Sequence, residues 1–438
     1  MSEILLPLIY LILFNWLIVK FKVFHLPELG LKASLFAFNL KIIFGFIIWY
    51  IYTFYYSDRG TGDQYRYFDD AAIMFEAFLQ KPIYFIELFF DKGRENEELK
   101  PFYERLMNWD KEYNYAWIID NRTIIRFNAL VHFFSWGNFH VHTIFMNFLS
   151  FSGLFLLYKS LIRFFVTKPK LLFIAVFLMP TVLFWGSGVL KEGIVIFGLG
   201  LFCYGFFNSF NEQYFNIKTF LFFIMGILVL ASIKVYVLLC LIPAALTYFI
   251  IKKLPVKHTW LFFFCIQVAF VLLIFNLKWI HPELDIVNKL WFKRNDFINV
   301  ANEWGAKSTI APIPFEKSAM SIMLHSPQAI INSLFRPHIL ELKSMMYLMP
   351  FFENLLLLLL VILVILNFKK PDKQVQYFSM FALVFIVYLA TMIGLTTPIL
   401  GAIVRYKLPL MPFLLLILFQ CLNIEKIIQK YPIINKLI

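Results

Sequence analysis

The 438-residue sequence contains little charge. Asp, Glu, Lys and Arg make up 15% of its residues, whereas 61% are hydrophobic. A soluble globular protein is about one quarter charged and about half apolar. This shortage of charge excludes an ordinary soluble domain. It predicts an all-α, polytopic bundle of about 11 membrane helices, because helices satisfy their own backbone polar groups within lipid.

Cysteine is also scarce, and known cofactor motifs are missing. Cys203, Cys240, Cys265 and Cys421 all lie inside apolar runs, without C-x-x-C spacing or nearby histidine. This pattern favours buried thiols over a disulfide framework or a zinc site. The chain also lacks a Walker loop and a dinucleotide fingerprint. We therefore expect no metal and no cofactor.

The N-terminus lacks the basic segment and the small-residue cleavage site of a signal peptide, so its apolar run is expected to be a retained span. A net charge of +13 would suit a nucleic-acid partner, but the Lys and Arg residues are dispersed over short loops. Membrane topology explains this dispersal better. The predicted partner is thus the lipid bilayer, and not nucleic acid.

Eleven apolar runs are long enough, or nearly so, to cross a hydrocarbon core about 30 Å thick. They lie at residues 4–19, 42–56, 141–158, 171–186, 189–207, 219–233, 235–251, 259–279, 346–367, 377–395 and 407–422. Basic residues concentrate in alternate loops, and Lys41 is counted in the first of these. The positive-inside rule makes these loops cytoplasmic, with the N-terminus outside and the C-terminus inside.

One membrane domain, 1–438, then has two extracytoplasmic loops, at 57–140 and 280–345. The first loop is expected to carry interfacial helices. Within it, segment 123–139 is apolar enough to be a further span. We interpret it as an interfacial or re-entrant helix, because a span there would place the basic loop at 159–170 outside.

An acidic cluster follows the second run. Asp63 and Asp70 are seven residues apart, so they share a face if the segment is helical. Gly60 and Gly62 allow the backbone to approach a ligand closely. We predict that the two acids are catalytic; the alternative is a solvated acidic loop.

Charges also interrupt the apolar runs. Lys191 and Glu192 follow a Gly-Ser-Gly segment, and an ionisable group in such a region is by default a functional hypothesis. Backbone N–H groups at this helix start would suit an anion. The alternative is a neutralised pair that only caps the helix. Lys234 and Tyr236 stand between two further runs and are predicted to bind substrate, although Lys234 alone could be a snorkelling lysine.

The last cations lie near the C-terminal half of the chain. Arg405 and Lys407, on the predicted outer side, run against the positive-inside bias, so an anion of a ligand or of the protein would explain them. Arg336 in the second loop is predicted to bind phosphate or substrate as well. Glu341 and Glu353 are expected on the helix that follows, with Glu353 inside the membrane and facing the bundle.

Carboxylates and separated cations near a membrane surface suit transfer of a sugar from a lipid-linked phosphate or pyrophosphate. Arg and Lys would hold the phosphate and stabilise the charge of the leaving group. A carboxylate would remove the proton of the acceptor hydroxyl as general base.

Three motifs carry a resemblance to bacterial EpsG-like and Wzy-like polysaccharide polymerases and, more distantly, to GT-C-class polyprenyl-phosphate-sugar glycosyltransferases. They are GTGDQYRY at 60–67, WGSGVLKE at 185–192 and GAIVRYKLP at 401–409. The resemblance implies glycosyl transfer at the outer face of a bacterial inner membrane, from a polyprenyl-linked saccharide donor to a glycan acceptor. It implies an acidic role for Asp63 and phosphate binding by Arg405 and Lys191. Unlike a standard GT-C protein, this chain has its acidic loop after the second span and no large C-terminal soluble domain.

Two other functions would also account for these sequence features. A lipid-linked oligosaccharide flippase, or another transporter, would distribute charges across the depth of the membrane, whereas the distinctive charges here lie at the outer ends of runs. No inverted repeat pairs the two halves of the chain. A non-catalytic assembly subunit would instead use the long loops to bind a partner. No sequence feature identifies the sugar, the linkage or a protein partner.

Overall fold

A computed structural model describes residues 2–55, 59–110, 119–209, 216–254, 257–303, 305–306 and 308–430. These residues form helices and three isolated β-bridges, with no β-strand among them. The predicted all-α, polytopic fold is confirmed. In chain order the α-helices are α1 (Ser2–Lys20), α2 (Gly30–Tyr50), α3 (Asp63–Gln80), α4 (Pro82–Phe89), α5 (Lys100–Arg105), α6 (Asp120–Ser135), α7 (Phe139–Leu161), α8 (Pro169–Phe173), α9 (Pro180–Trp185), α10 (Lys191–Ser209), α11 (Ile217–Lys253), α12 (Thr259–Asn276), α13 (Ile286–Glu303), α14 (Ala319–Phe335), α15 (Leu348–Leu366), α16 (Lys373–Thr396), α17 (Leu400–Tyr406), α18 (Met411–Cys421) and α19 (Ile424–Lys430).

Nine helices in the described part of the chain are long and apolar enough to cross a membrane. Two of the eleven runs, 219–233 and 235–251, lie in the single element α11, which is interrupted at Lys234 by non-helical dihedral angles. The run at 171–186 is divided into α8, a π-helical turn at Ile174–Leu178, and α9. Pro180 is the first residue of α9, a position where proline is tolerated because its missing N–H group would have no helical partner.

The chain forms two compact units. Unit 1 comprises Met1–Arg163 and Val182–Val235, and its centre is the packing of α7 along α10. A Cβ atom on Gly200 would lie 2.0 Å from the backbone oxygen of Gly153, so the two backbones approach as closely as small residues allow. The helices α1, α2 and α6 also pack on α7.

The region between α2 and α7 is largely helical and belongs to unit 1. Here α3 packs on α4 and α6, and the side chain of Trp109 is fully buried. The guanidinium groups of Arg122 and Arg126 lie 5.0 and 5.1 Å from its ring centroids. The helix α6 has 16 residues, fewer than the roughly 20 that a span requires. The interfacial placement of segment 123–139 stays a prediction.

Unit 2 comprises Phe164–Thr181 and Tyr236–Ile438. Its central span, α16, packs against α13, α14 and α18. The helices α13 and α14 come from the predicted second loop, and α14 lies so close to α16 that a Cβ on Gly394 would be 2.0 Å from the backbone oxygen of Ala329. The second loop therefore contains a helix that packs directly on a span. The extracytoplasmic position of both loops stays a prediction.

The sequence pattern placed Lys41 in a basic loop, and this placement is wrong. The second span extends over Gly30–Tyr55 and includes Lys41, whose side chain is fully buried. The apolar run used to place this span begins only at residue 42, because a single lysine ends a run in a hydropathy reading. Lys41 thus belongs with the charges inside the membrane helices, not with the loop charges.

Candidate functional site

The turn between α9 and α10 is held by polar side chains from two other helices. Lys41 Nζ donates hydrogen bonds to the oxygen of Gly186 at 2.8 Å and to Ser187 Oγ at 3.1 Å. Asn147 Nδ2 donates to the oxygen of Ser187 at 2.8 Å. A Cβ on Gly186 would lie only 2.4 Å from a backbone oxygen of α9, so glycine is required there. These contacts fix the position at which α10 begins, at Lys191.

Lys191 and Glu192 do not pair with each other. Lys191 Nζ lies 2.6 Å from Asp120 Oδ2, at the start of α6, and Lys234 Nζ lies 2.7 Å from Glu192 Oε1. Glu192 is only 1% exposed, and the two lysines are each 7% exposed. We call Asp120, Lys191, Glu192 and Lys234 the charged cluster. Its four charges are neutralised in two pairs, as buried charges must be.

Helix ends and a helix break bring the charged cluster together. Asp120 and Lys191 are the first residues of α6 and α10, and Lys234 has φ −149° and ψ 78° inside α11. Near this break, Thr123 Oγ1 donates a hydrogen bond of 2.8 Å to the oxygen of Ser232. Interrupted backbone at membrane depth is tolerated where it is buried in protein or lines a cavity. The break therefore has polar partners from α6 beside it.

The predicted catalytic Asp63 begins α3, the helix whose Tyr67 lies next to the charged cluster. The ammonium group of Lys191 lies 5.5 Å from the ring centroid of Tyr67, which is 4% exposed. Asp63 is the first residue of α3 and precedes Tyr67 by four positions, so the two side chains are neighbours, with Cβ atoms about 5–6 Å apart. Asp63 is half-buried. Asp63 and Lys191 thus both neighbour Tyr67.

Asp70 has a different environment. It lies on the same helix as Asp63, so the two acids share a face as predicted. Its side chain is 2% exposed, and Oδ2 accepts a hydrogen bond of 2.8 Å from the backbone N–H of Asn108. Burial raises the pKa of Asp70 from 3.8 to about 6. These contacts suit an acceptor that anchors the chain around residue 108.

Lys407, in unit 2, is fully buried and contacts protein acceptors. Its Nζ donates to Asn354 Oδ1 at 2.6 Å and to the oxygen of Leu334 at 3.2 Å. Glu353 supplies a nearby negative charge and accepts two hydrogen bonds of 2.6 Å from Thr181. The prediction that Glu353 lies in a span and faces inward is confirmed, since it is 3% exposed in α15. The carboxylate of Glu353 is therefore a protein anion near Lys407, as one of the two sequence-based explanations required.

Tyr236 belongs to a group of aromatic rings in unit 2. Its ring centroid lies 6.1 Å from that of Tyr406, which is also 6.1 Å from that of Phe297. Lys293 Nζ lies 4.3 Å from the Tyr236 centroid. We call these four residues the aromatic cluster. Arg405 precedes Tyr406 on α17 and is half-buried.

Arg336 lines a cavity of about 200 Å³ in unit 2, together with residues of segments 308–311 and 340–347 and with Leu400. Its Nε lies 3.5 Å from Glu341 Oε1. The sequence pattern suggested that Glu341 lies on the same helix as Glu353, but it ends a short 3-10 helix. Residues 342–344 and a second 3-10 helix, Met345–Tyr347, separate it from α15. Glu341 Oε2 accepts a hydrogen bond of 3.0 Å from the N–H of His338.

The structure therefore divides the predicted residues between the two units. Unit 1 contains Asp63, Asp70, Lys191, Glu192 and Lys234, and unit 2 contains Tyr236, Arg336, Arg405 and Lys407. Sequence reasoning missed Asp120, Tyr67 and Lys293. An acid at the start of an apolar helical segment, where the helix dipole favours it, was the available signal for Asp120. For Lys293, the available signal was its position four residues before Phe297, which places both side chains on one face of a helix.

Among the residues that the structure describes, no three His, Cys, Asp or Glu side chains lie close enough together to hold a metal ion. Lys191 and Arg405 are the cations that the resemblance assigned to phosphate. Comparison of the chain with protein-family models, curated proteins and solved structures gives no match.

Proposed function

We propose that this protein is a membrane glycosyltransferase or repeat-unit polymerase of surface polysaccharide assembly. It would transfer a sugar from a polyprenyl-(pyro)phosphate donor to a glycan acceptor, in a bacterial inner membrane. The observation that carries the proposal is the charged cluster of unit 1, which gathers two lysines and two acids near helix ends and next to Tyr67 of α3, the helix that begins at Asp63. Charges buried in apolar spans are expensive and are by default functional.

Lys191 is the proposed phosphate ligand. The side chain of Lys191 is 9% exposed and that of its partner, Asp120, is 30% exposed. A phosphate would therefore bind by replacing the Asp120 carboxylate at the ammonium group. The ammonium group would hold the phosphate and stabilise the negative charge that develops as the sugar leaves. Lys191 is also the first residue of α10, where the helix dipole favours an anion.

Asp63 is the proposed general base. In the reaction, the acceptor hydroxyl attacks the anomeric carbon while the bond from that carbon to the phosphate oxygen breaks. The phosphate keeps the electron pair, and Asp63 takes the hydroxyl proton. A single direct displacement inverts the anomeric configuration. Asp63 suits this role better than Asp70, because Asp70 is buried against the backbone of Asn108.

The helix break at Lys234 favours a second candidate, a flippase for lipid-linked oligosaccharides or another transporter. Many transporters bind their substrate where membrane helices are discontinuous, near the middle of the bilayer. Lys234 divides α11 into segments 217–233 and 235–253, each about 26–29 Å long at 1.5 Å per residue. Each segment nearly spans the hydrocarbon core, so the break lies at the end of two spans. This position favours a site at a membrane surface and hence the transferase.

The test is synthesis by the purified protein in proteoliposomes, with the lipid-linked saccharide that accumulates in a strain lacking the gene. Wild type is expected to lengthen this saccharide. Lys191→Gln is expected to reduce the rate about 10²–10³-fold, the usual cost of removing one donor to the transition state. Asp63→Asn should also be impaired. The control is Lys22→Gln, an exposed lysine outside both units' buried clusters.

The alternatives give different results. Delivery of the saccharide to the opposite leaflet, without a longer product, would support the transporter. Equal rates for wild type, Lys191→Gln and Asp63→Asn, with all proteins folded, would contradict the transferase.

A further inference from the structure

A cavity in unit 2 is lined by charged and hydroxyl side chains. Its volume is about 200 Å³. One wall is segment 308–311, which is fixed to the start of α17: the N–H of Ile310 donates 2.8 Å to the oxygen of Pro398, and the N–H of Leu400 donates 3.0 Å to the oxygen of Ser308. The rest of the lining consists of Arg336, Leu340, Glu341, Lys343, Tyr347 and Leu400. The whole lining belongs to one compact unit, so the cavity is a property of that unit.

The charges of this lining favour an anion. Arg336 and Lys343 contribute two positive charges against the single negative charge of Glu341. The carboxylate of Glu341 is 3.5 Å from Arg336 Nε, and the terminal Nη groups of Arg336 donate no hydrogen bond to any residue that the structure describes. A guanidinium group presents its donors as a fork that matches a carboxylate or phosphate. The unused part of this fork is available to a ligand.

The remaining lining suits a sugar ring. Ser308 and Thr309 carry hydroxyl groups, Glu341 is an acceptor for ligand hydroxyls, and Tyr347 supplies an aromatic ring. Drug-sized ligands occupy pockets of about 300–1,000 Å³, so a cavity of this size suits a smaller group such as one sugar residue.

We propose that this cavity binds one acidic sugar residue of the saccharide substrate, whose carboxylate or phosphate lies on Arg336 and Lys343. The inference adds to the proposed glycosyl transfer that the saccharide substrate contains a negatively charged residue. It rests on the proposed function, because that function is the reason for choosing a sugar as the ligand. Glu341 accepts hydrogen bonds from the hydroxyl groups of the same residue.

The helix α17 connects the cavity to the aromatic cluster. Leu400, its first residue, lines the cavity, and Tyr406, its last, belongs to the cluster. Six residues of helix correspond to about 9 Å along the axis. A saccharide anchored by its acidic residue in the cavity therefore has aromatic rings within reach for its next residues, and such rings offer large apolar faces.

The test measures binding of monosaccharides by saturation-transfer NMR to the full-length protein in nanodiscs of neutral lipid. The probes are glucuronate, glucose 6-phosphate, glucose and inorganic phosphate. Wild type is expected to bind glucuronate, glucose 6-phosphate or both at least tenfold more tightly than glucose. Glucuronate and glucose 6-phosphate separate a carboxylate from a phosphate as the preferred anion.

Substitutions at the cavity give the expected pattern. Arg336→Gln and Lys343→Gln should each weaken binding of the acidic sugar about tenfold, which corresponds to about 1.4 kcal/mol, because each removes a charged hydrogen-bond donor. Arg336→Lys should also weaken it, since lysine keeps the charge but lacks the fork. Lys370→Gln, an exposed lysine outside the cavity, is the control and should bind as wild type.

Two outcomes would overturn the assignment: glucose binding as tightly as the acidic sugars, or inorganic phosphate binding as tightly as glucose 6-phosphate. A third outcome that would overturn the assignment is binding of the acidic sugar by Arg336→Gln and Lys343→Gln that is unchanged from wild type. Because no donor lipid is present, the result is independent of turnover. A protein that binds acidic sugars in this pattern but makes no glycan keeps the cavity assignment and contradicts only the transferase.

Discussion

Substitution of Asp70 by asparagine isolates the energetic effect of one buried carboxylate. Asp70 is 2% exposed, and its Oδ2 accepts a hydrogen bond from the backbone N–H of Asn108. Asparagine has nearly the same shape and keeps an oxygen to accept this bond, but it has no charge. The variant therefore removes the titration of Asp70 and leaves the contact in place.

The pKa shift gives the size and the sign of the effect. Burial raises the pKa of Asp70 from 3.8 to about 6, so the fold prefers the protonated form. Wild type therefore loses stability as the pH rises from below 3.8 through about 6, and the variant lacks this loss. Each pKa unit corresponds to about 1.4 kcal/mol, so the complete shift is equivalent to about 3 kcal/mol. Part of this effect is already present at pH 4, so the free energy of unfolding of the variant, relative to wild type, should increase by about 2.4 kcal/mol between pH 4 and pH 7.

A second buried group in unit 1 titrates in the opposite direction. Burial lowers the pKa of His132 to about 4, and its Nε2 lies 3.3 Å from the oxygen of Phe68. The contribution of the neutral imidazole is lost as the pH falls through its usual value of 6.5 towards 4. This contribution is common to both proteins. It cancels in the difference between variant and wild type, which therefore reports Asp70.

The assay is thermal unfolding of both proteins in the same detergent, followed by tryptophan fluorescence in steps from pH 4 to pH 8. Asp69→Asn is the control at pH 7.5, because Asp69 forms an exposed pair with Arg59 and should change stability by less than about 1 kcal/mol. A difference curve that is flat, or that falls as the pH rises, would refute the reasoning. Loss of glycan synthesis in a stable Asp70→Asn protein would instead support the catalytic role predicted from the sequence.

Other predictions use pairs of matched substitutions. Glu192→Gln leaves the ammonium of Lys234 buried without its carboxylate and should lower the free energy of unfolding by about 3–5 kcal/mol. Adding Lys234→Met should make this loss smaller. Thermal unfolding of the single and double variants measures both. Glu76→Gln removes an ion pair of similar length at the surface and should cost less than about 1 kcal/mol in the same assay. Gly200→Ala places a Cβ against a backbone oxygen of α7 and should cost about 1–3 kcal/mol, whereas Gly401→Ala, with open space around it, should be neutral; equal stabilities would contradict the close packing of α7 and α10.

Hydropathy was sufficient for the fold class and for most spans, because apolar length is what a bilayer selects. It also separated the runs at 219–233 and 235–251 at Lys234, where α11 has non-helical dihedral angles. It could not report which residues contact this break. The break at Lys234 depends on dihedral angles and on partners from α6 and α10, which are distant in sequence. The run at 171–186 was read as one span, and its division into α8, a π-helical turn and α9 was not predicted. Lys41 was misplaced because its acceptors, 145 and 146 residues away, are invisible to a local pattern.

The candidate site was predictable as a set of residue types but not as a set of contacts. The sequence identified Lys191 and Glu192 and left open whether they pair. Adjacent residues on a helix do not face each other, so the helical start at Lys191 already argued for two separate partners. Which acid and which lysine these would be, Asp120 and Lys234, required the tertiary structure. The division of predicted cations between two compact units likewise has no local signature.

The interleaving of the two units along the chain sets the order in which they can be completed during synthesis. Unit 1 has all its residues once Val235 has been made, whereas the earliest part of unit 2, Phe164–Thr181, precedes most of its partners. Thr181 and its acceptor Glu353 are 172 residues apart. At about 5–20 residues per second, roughly 9–34 s separate their synthesis. In the later part of that interval, after Val235 has been made, unit 1 has all its residues while unit 2 still lacks most of its own.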